Sequence, residues 1–435
     1  MARKWADWTI RPKKREAARL RWWLACGAGA RLLAVAMLVQ PVMSGLAVAA
    51  PNADFQTFLA GLRRDALAAG ISAQTFDRET RGLEPDLGLP DLVLPGRKQP
   101  HSSRGQAEFT VAPGDYVSGK RIARLAGEGR DLAARHRRIM TAIESKVGVD
   151  GPVVLAIWGR ETAFGKYRPK HDAIRALATE AFVGRRKDMF RVELIAALKL
   201  IDQGRLTRRQ MRASWAGAMG LTQFMPTEFL STAIDLGGDG RIDRVGSVAD
   251  ALGSAAHPVK QKGWIKGLTW GIEVKTGKRV DCANEGPLNE RPIAEWARLG
   301  VTRADGKPFA RAHLSATAYL ISPAGTYGPQ FLVTQNFKVF RAYNTSDLYA
   351  LYVGHLSDQI AGGGEFRTPW SRIQQLSNRD IAEIQRRLKE AGLKIDKIDG
   401  RIGSETRLRI GLYERSRGLP VDCWPSARLL QAMRR

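Results

Sequence analysis

"GPVVLAIWGRETAFG", residues 151–165, decides the fold class, because an almost unbroken apolar segment here carries an arginine and a glutamate. Asp150 and Pro152 make a helix start, as cap and first-turn residue, and Gly165 makes a stop. Within that helix Glu161 follows Val154 by seven positions, Ile157 by four and Trp158 by three, so the four share one face. That stripe is a buried one, and the carboxylate lies on it. The positions from which a basic residue could reach Glu161 along the helix hold Ile157, Trp158, Phe164 and Gly165. No in-helix ion pair accounts for it. Two readings fit: a tertiary ion pair to one of the chain's many arginines, or a carboxyl group kept protonated by desolvation, as a general acid for a glycosidic oxygen requires.

Helical periodicity surrounds this segment. Apolar residues recur at helical spacing through residues 52–232, as in "FQTFLAGLRRDALAAG" and "RIMTAIESKVG", with turn-rich breaks such as "RKQPHSSRG". From about residue 235 the texture changes to Gly-rich turns and short β-like runs ("TWGIEVK", "RPIAEWARLGV", "SATAYLIS"), then returns to a helix at "SDLYALYVGHLSDQI". A small mixed α/β insertion in a mainly α domain is expected. "AGGGEFRTPWS" has linker composition, and beyond it "LSNRDIAEIQRRLKEAGL" and "DGRIGSETRLRIGLYERSRGL" predict helix, turn, helix, with Ser404 capping the second helix. About sixty residues make a small, marginal three-helix module. The expected division is a signal segment at 1–49, a catalytic domain at 50–365, a linker at 366–375 and the module at 376–435.

The 435 residues, 44% hydrophobic and 26% charged, are those of a multi-domain globular protein, and a net charge of +26 points to an anionic partner. Nucleic acid, an acidic membrane surface and an acidic polymer all qualify. The N-terminal region narrows the choice. A basic stretch, "RPKKREAARLRWW", precedes the apolar "LLAVAMLVQPVMSGLAVAA", the layout of a secretory signal, with Ala47 and Ala49 forming an A-x-A cleavage site before Ala50. Its removal leaves a charge of +19. An uncleaved anchor is the alternative, since a spanning helix needs roughly 20 residues, but Gln40 and Pro41 interrupt the run. Cys26 is poorly placed for acylation. The two remaining cysteines, Cys282 and Cys423, are too few for a disulfide framework and are expected to stay unpaired. Export and the lack of zinc-finger or RNP-type signatures argue against nucleic acid.

Two later stretches bear on Glu161. "SWAGAMGLTQFMP", 214–226, interleaves small residues with Ser214 and Gln223, so a ligand can approach the backbone and meet directed hydrogen bonds. Tight helix packing explains the small residues but not the polar pair. "NFKVFRAYNTSDLYALYVGHL", 336–356, brings Tyr343, Asn344 and Tyr349. Tyrosine faces stack on sugar rings, though the tyrosines also suit a core and Asn344 also suits a cap for the following helix. "NTS" is a formal glycosylation sequon.

Together, "AIWGRETAFG", "WAGAMGLTQFMP" and "YNTSDLYA", in this order and at these separations, resemble the lytic murein transglycosylases of the B type, glycoside hydrolase family 103. The similarity runs from about residue 54 to 361. It implies a lysozyme-like, mainly helical catalytic domain that cuts the β-1,4 bond between N-acetylmuramic acid and N-acetylglucosamine of peptidoglycan and leaves a 1,6-anhydromuramoyl end. It implies that Glu161 is the sole catalytic acid and base. Ser214, Gln223, Tyr343, Asn344 and Tyr349 would then contact the saccharide or orient Glu161. Alternatives are a hydrolytic muramidase, which needs a second carboxylate, and a non-catalytic basic wall-binding protein.

"DGRIGSETRLRIGLYERSRGLP" resembles the small peptidoglycan-binding domain of wall hydrolases through Asp399, Gly400, Gly403 and Thr406, with Tyr413 and Glu414 where Phe and Gln are common. An inert three-helix module is the alternative. His257 and Pro258 stand where the family often carries an aromatic pair, and Phe164 replaces a common Tyr. Some relatives bind calcium in an EF-hand-like loop. Here "DLGGDGRID" offers Asp235 and Asp239, but Gly237 and Gly246 occupy ligand positions, so the loop reads as a turn and no metal or other cofactor is expected. Expected partners are glycan strands and other cell-wall enzymes, in the periplasm of a Gram-negative bacterium, with membrane contact only through an uncleaved signal segment.

Overall fold

The computed structural model describes residues 51–94, 107–117 and 119–435; the signal segment with its cleavage site and Cys26, and the break at 97–105, lie outside them. Helices Pro51–Ala68, Ala73–Thr80, Ala173–Val183 and Lys187–Asp202 enclose one core around Phe55, Leu62, Leu177, Phe190 and Phe224. A second core gathers helices Gly119–Arg135, Gly151–Thr162, Val248–Gln261, Gln335–Tyr343 and Asp347–Ile360. Among the described residues, no helix is long and apolar enough to cross a membrane.

Gly151–Thr162 lies at the centre of the second core, packed against Asp347–Ile360, Gly119–Arg135 and Val248–Gln261. Every residue from Val153 to Gly159 is buried, so one apolar stripe is too narrow a description. At about 1.5–3 kcal/mol for each fully buried Val, Leu or Ile side chain, this helix is held rigidly. Asp150 is its N-cap residue but makes no side-chain cap; its carboxylate accepts instead from Trp264 Nε1 at 2.9 Å. The helix stops at Thr162, before the expected Gly165, because Ala163, Phe164 and Gly165 all take left-handed φ angles of 48°, 59° and 82°. Two of these are not glycine, a costly conformation held here by packing. It turns the Phe164 ring back over Gly159, where a Cβ would lie 2.7 Å from it.

The insertion is a five-stranded antiparallel sheet in the order Arg291–Pro292, Thr317–Ile321, Gln330–Val333, Gly271–Lys275, Thr302–Arg303. "TWGIEVK" and "SATAYLIS" supply strands as expected. "RPIAEWARLGV" does so only at Arg291–Pro292; the rest is the helix Ile293–Arg298, because Ile293 and Trp296 stand three apart and both are buried. The stretch after the helix Asp347–Ile360 is fastened down. Phe366 lies on His355 with ring centres 3.8 Å apart, Trp370 fills the space above Gly114 and Gly328, and Glu273 accepts from the amides of Arg367 and Thr368 at 2.7 Å each.

Three helices, Asn378–Glu390, Ser404–Ser416 and Ala427–Arg434, form the C-terminal module around Ile384, Leu388, Ile410 and Leu430. Ser404 is the first helical residue and not the cap; extended Gly403 takes that place, and its carbonyl accepts from the Arg407 amide. Asp399, Gly400 and Thr406 gather around buried Gln385, whose Oε1 accepts from the amides of Asp399 and Gly400 and whose Nε2 donates to Thr406 Oγ1. The expectation of unpaired cysteines is overturned. Cys282 and Cys423 form a disulfide across a sequence separation of 141, because the module docks on the sheet and brings their Cα atoms to 6.0 Å. Both are fully buried. Replacing both with serine should lower the unfolding free energy by about 2–4 kcal/mol, read as a fall in the denaturant midpoint; an unchanged midpoint would show that docking holds without the bond.

Candidate functional site

Glu161 occupies the last turn of its helix, half-buried, where the helix emerges from the core. Its Oε1 accepts a 2.7 Å hydrogen bond from the Tyr349 hydroxyl, which leaves Oε2 as the atom to carry a proton. Among the described residues no ion pair to Glu161 is found, so none of them supplies the tertiary bridge. Burial raises the carboxyl's pKa; the Tyr349 hydrogen bond and the charge of Arg160 oppose that shift, and Glu108 and Glu228 reinforce it.

Arg160, the adjacent residue, turns elsewhere. Its Nη2 donates to the Tyr116 hydroxyl at 2.7 Å, and its guanidinium lies 5.5–5.6 Å from the ring centres of Tyr116, Tyr349 and Tyr352. Cation–π attraction and one hydrogen bond satisfy the charge without recruiting the neighbouring carboxylate.

The second motif is a tight loop. Ser214 N donates to Ala218 O at 2.8 Å and Ser214 Oγ accepts from Ala218 N at 3.2 Å, while Met219 and Phe224 exchange backbone hydrogen bonds of 2.9 Å. Gly217 and Gly220 have positive φ, and a Cβ on Gly217 would stand 2.3 Å from Leu177. Gln223 is also left-handed, and its Nε2 donates to Gly220 O at 3.2 Å. The tip of this loop meets both other motifs. Leu221 O accepts from Thr162 Oγ1 at 2.6 Å, and Thr222 O accepts from the Tyr343 hydroxyl at 3.5 Å. Thr162 Oγ1 also accepts from Gly165 N at 3.0 Å, so the strained helix end and the loop are fixed to each other.

In the third motif, Tyr343 ends one helix and Tyr349 lies in the first turn of the next, their rings nearly parallel with centres 6.3 Å apart. Asn344 is the C-cap residue of the first helix; its Oδ1 accepts from Ser346 N, and Ser346, not Asn344, caps the second helix. Of the five residues singled out beside Glu161, Tyr349 touches it and Tyr343 stacks on Tyr349. Asn344, Gln223 and Ser214 shape the surrounding backbone and make no hydrogen bond to it. Sequence reasoning missed Arg160, Tyr116, Tyr352, Glu108 and Glu228. Arg160 was visible beside the glutamate; the others had no local signal.

In the Asp235 loop, Asp235 accepts from the amides of Gly238 and Gly240, Asp239 from Arg241, and Asp250 from Leu236, Gly237 and Asp243. His257, in place of a family aromatic, lies 3.1 Å from Thr232 O through Nδ1.

Residues 54–358 match the family model "Transglycosylase SLT domain", and 377–433 match "Putative peptidoglycan binding domain". The curated membrane-bound lytic murein transglycosylase B of Escherichia coli K12 is 31% identical over 215 residues, 49% of this chain. The match spans 58% of that relative's length. SltB3 from Pseudomonas aeruginosa, solved in complex with NAG-anhNAM-pentapeptide, is 37% identical and covers 88% of this chain and 99% of its own with a TM-score of 0.80. Its complex with NAG-NAM-pentapeptide gives 37% identity, 87% and 99% coverage and a TM-score of 0.78. With the model match running through both helical cores and the sheet, the chain belongs to the transglycosylase SLT domain family.

Proposed function

We propose that this protein is a lytic transglycosylase that cleaves the β-1,4 bond between N-acetylmuramic acid and N-acetylglucosamine of peptidoglycan, with Glu161 as its acid and base. The observation that carries the reading is a carboxyl group on an apolar helix, its pKa raised by burial, with one oxygen engaged by Tyr349 and no cationic partner among the described residues. In the first step Glu161 gives its proton to the glycosidic oxygen and the C1–O bond breaks, with positive charge building at the anomeric carbon. The substrate's N-acetyl group assists there. Glu161, now a carboxylate, removes the proton of the muramoyl 6-hydroxyl, whose oxygen bonds to C1. The proton returns to Glu161 and no water is consumed.

In this reading Tyr349 holds the carboxyl in one orientation, and the Ser214–Pro226 loop with Tyr343, Asn344 and Gln223 forms the saccharide-binding wall. The C-terminal module holds the protein on the polymer, whose stem-peptide carboxylates attract its positive charge. The site of action is the periplasm, reached through the N-terminal signal.

Glu161→Gln should cut the turnover of purified peptidoglycan by at least about 10²–10⁴-fold, with the parent's soluble products one water lighter than reducing-end fragments by mass. Parent products with reducing ends would refute the anhydro reaction, and an undiminished Gln variant would refute Glu161 as catalyst. A second expectation concerns pH. The acid works only while protonated, so kcat falls as pH rises through the Glu161 pKa. Tyr349 donates to the charged form and lowers that pKa, so Tyr349→Phe should move the alkaline limb of the kcat profile to higher pH. A limb that stays in place or moves down would contradict the assignment.

A further inference from the structure

The second helix of the C-terminal module, Ser404–Ser416, is buried on two sides. Ile410 joins the module's own core, while Arg407 and Gly411 meet residues outside the module, Glu285 and Asp347 for the first and Ala283 for the second. At Gly411 the helix meets the insertion closely: a Cβ there would lie 2.8 Å from Ala283 Cβ, and 2.5 Å from Cys423 Sγ in the module itself. Around that contact the Cys282–Cys423 disulfide, an Arg415–Asp281 ion pair at 2.7 Å and a Tyr327–Asp422 hydrogen bond at 2.9 Å lock the module in place.

Arg407 lies at the centre of the lock, 2% exposed. Its Nε donates to Glu285 Oε1 at 3.1 Å and its Nη2 to Asp347 Oδ2 at 3.2 Å, so one guanidinium from the module joins the sheet insertion to the catalytic core. Glu285 accepts from Ser322 N at 2.7 Å with its other oxygen. Asp347 is the first residue of the helix Asp347–Ile360, and its second oxygen pairs with Arg341 at 3.0 Å. Two residues on stands Tyr349, whose amide is capped by Ser346 and whose hydroxyl reaches Glu161. Exposed ion pairs contribute little and tolerate slack, but a buried, forked arginine fixes geometry and is costly to disrupt.

We propose that Arg407 is a positioning residue for Glu161: by clamping Asp347 it fixes the first helical turn that presents the Tyr349 hydroxyl to the acid. The module thereby completes the catalytic site as well as carrying it to the wall. The inference rests on Glu161 being the acid of the reaction proposed above.

A double-mutant cycle in the full-length protein tests it, with kcat and KM measured as total glycosidic cleavage of purified peptidoglycan, whatever the chemical form of the new ends. Arg407→Gln should lower kcat about tenfold with KM changed less than about twofold, and Arg407→Lys should recover part of the loss. If the effect runs through Tyr349, adding Arg407→Gln to Tyr349→Phe costs nothing further. Full additivity in the cycle, or an Arg407→Gln kcat equal to the parent's, overturns the proposal. If Arg407→Gln does not fold, Asp347→Asn cuts the same link while Arg407 keeps Glu285, and the same cycle decides. Reducing-end products would overturn the anhydro reaction while the cycle still judged Arg407.

Discussion

A single hydrogen bond, from the Tyr349 hydroxyl to Glu161 Oε1, is the constraint around which the molecule is organised. A carboxyl in apolar surroundings needs a partner to stay ordered, yet each donor or cation added to it favours the charged form and leaves less of it protonated at neutral pH. One donor on one oxygen meets both demands. The treatment of Arg160 follows from the same requirement. The adjacent guanidinium would favour the charged carboxylate if it turned toward it, and here three tyrosine rings and the Tyr116 hydroxyl engage it elsewhere.

Much of this was legible in the chain. The helix at 151–162, the lack of an in-helix partner for Glu161 and the later tyrosine motif are local patterns, and local patterns survive into the fold. The loop at 214–226 read as small residues beside polar ones, and its glycines do lie where backbone or side chains crowd too closely for a Cβ. What could not be read is what depends on tertiary proximity. The contributions of Glu108 and Glu228, the ring cage around Arg160 and the closure of Cys282 on Cys423 arise from segments far apart in sequence. Two errors had local causes. Ser404 looked like a cap because serine usually is one, but extended Gly403 precedes it; "RPIAEWARLGV" was grouped with the β-like runs around it, although Ile293 and Trp296 stand at helical spacing.

The module changes character once its packing is described. A three-helix unit of this size has little core of its own, and its middle helix shows no clean amphipathic stripe because both of its faces are used. Part of its stability is therefore borrowed from the catalytic body. The same surfaces that stabilise it also reach, through Arg407 and Asp347, the helix bearing Tyr349.

The disulfide and the Arg407 cluster also impose an order in time. A chain that emerges N-terminus first exposes Glu161 early, but its hydrogen-bond donor lies 188 residues later and the arginine that clamps the donor's helix lies 60 residues beyond Asp347. Contacts of such separation form late, since their loop-closure entropy must be met by structure already in place. An oriented Glu161 is thus among the last features the polypeptide acquires, and a truncated or half-folded copy carries the carboxyl without the means to aim it.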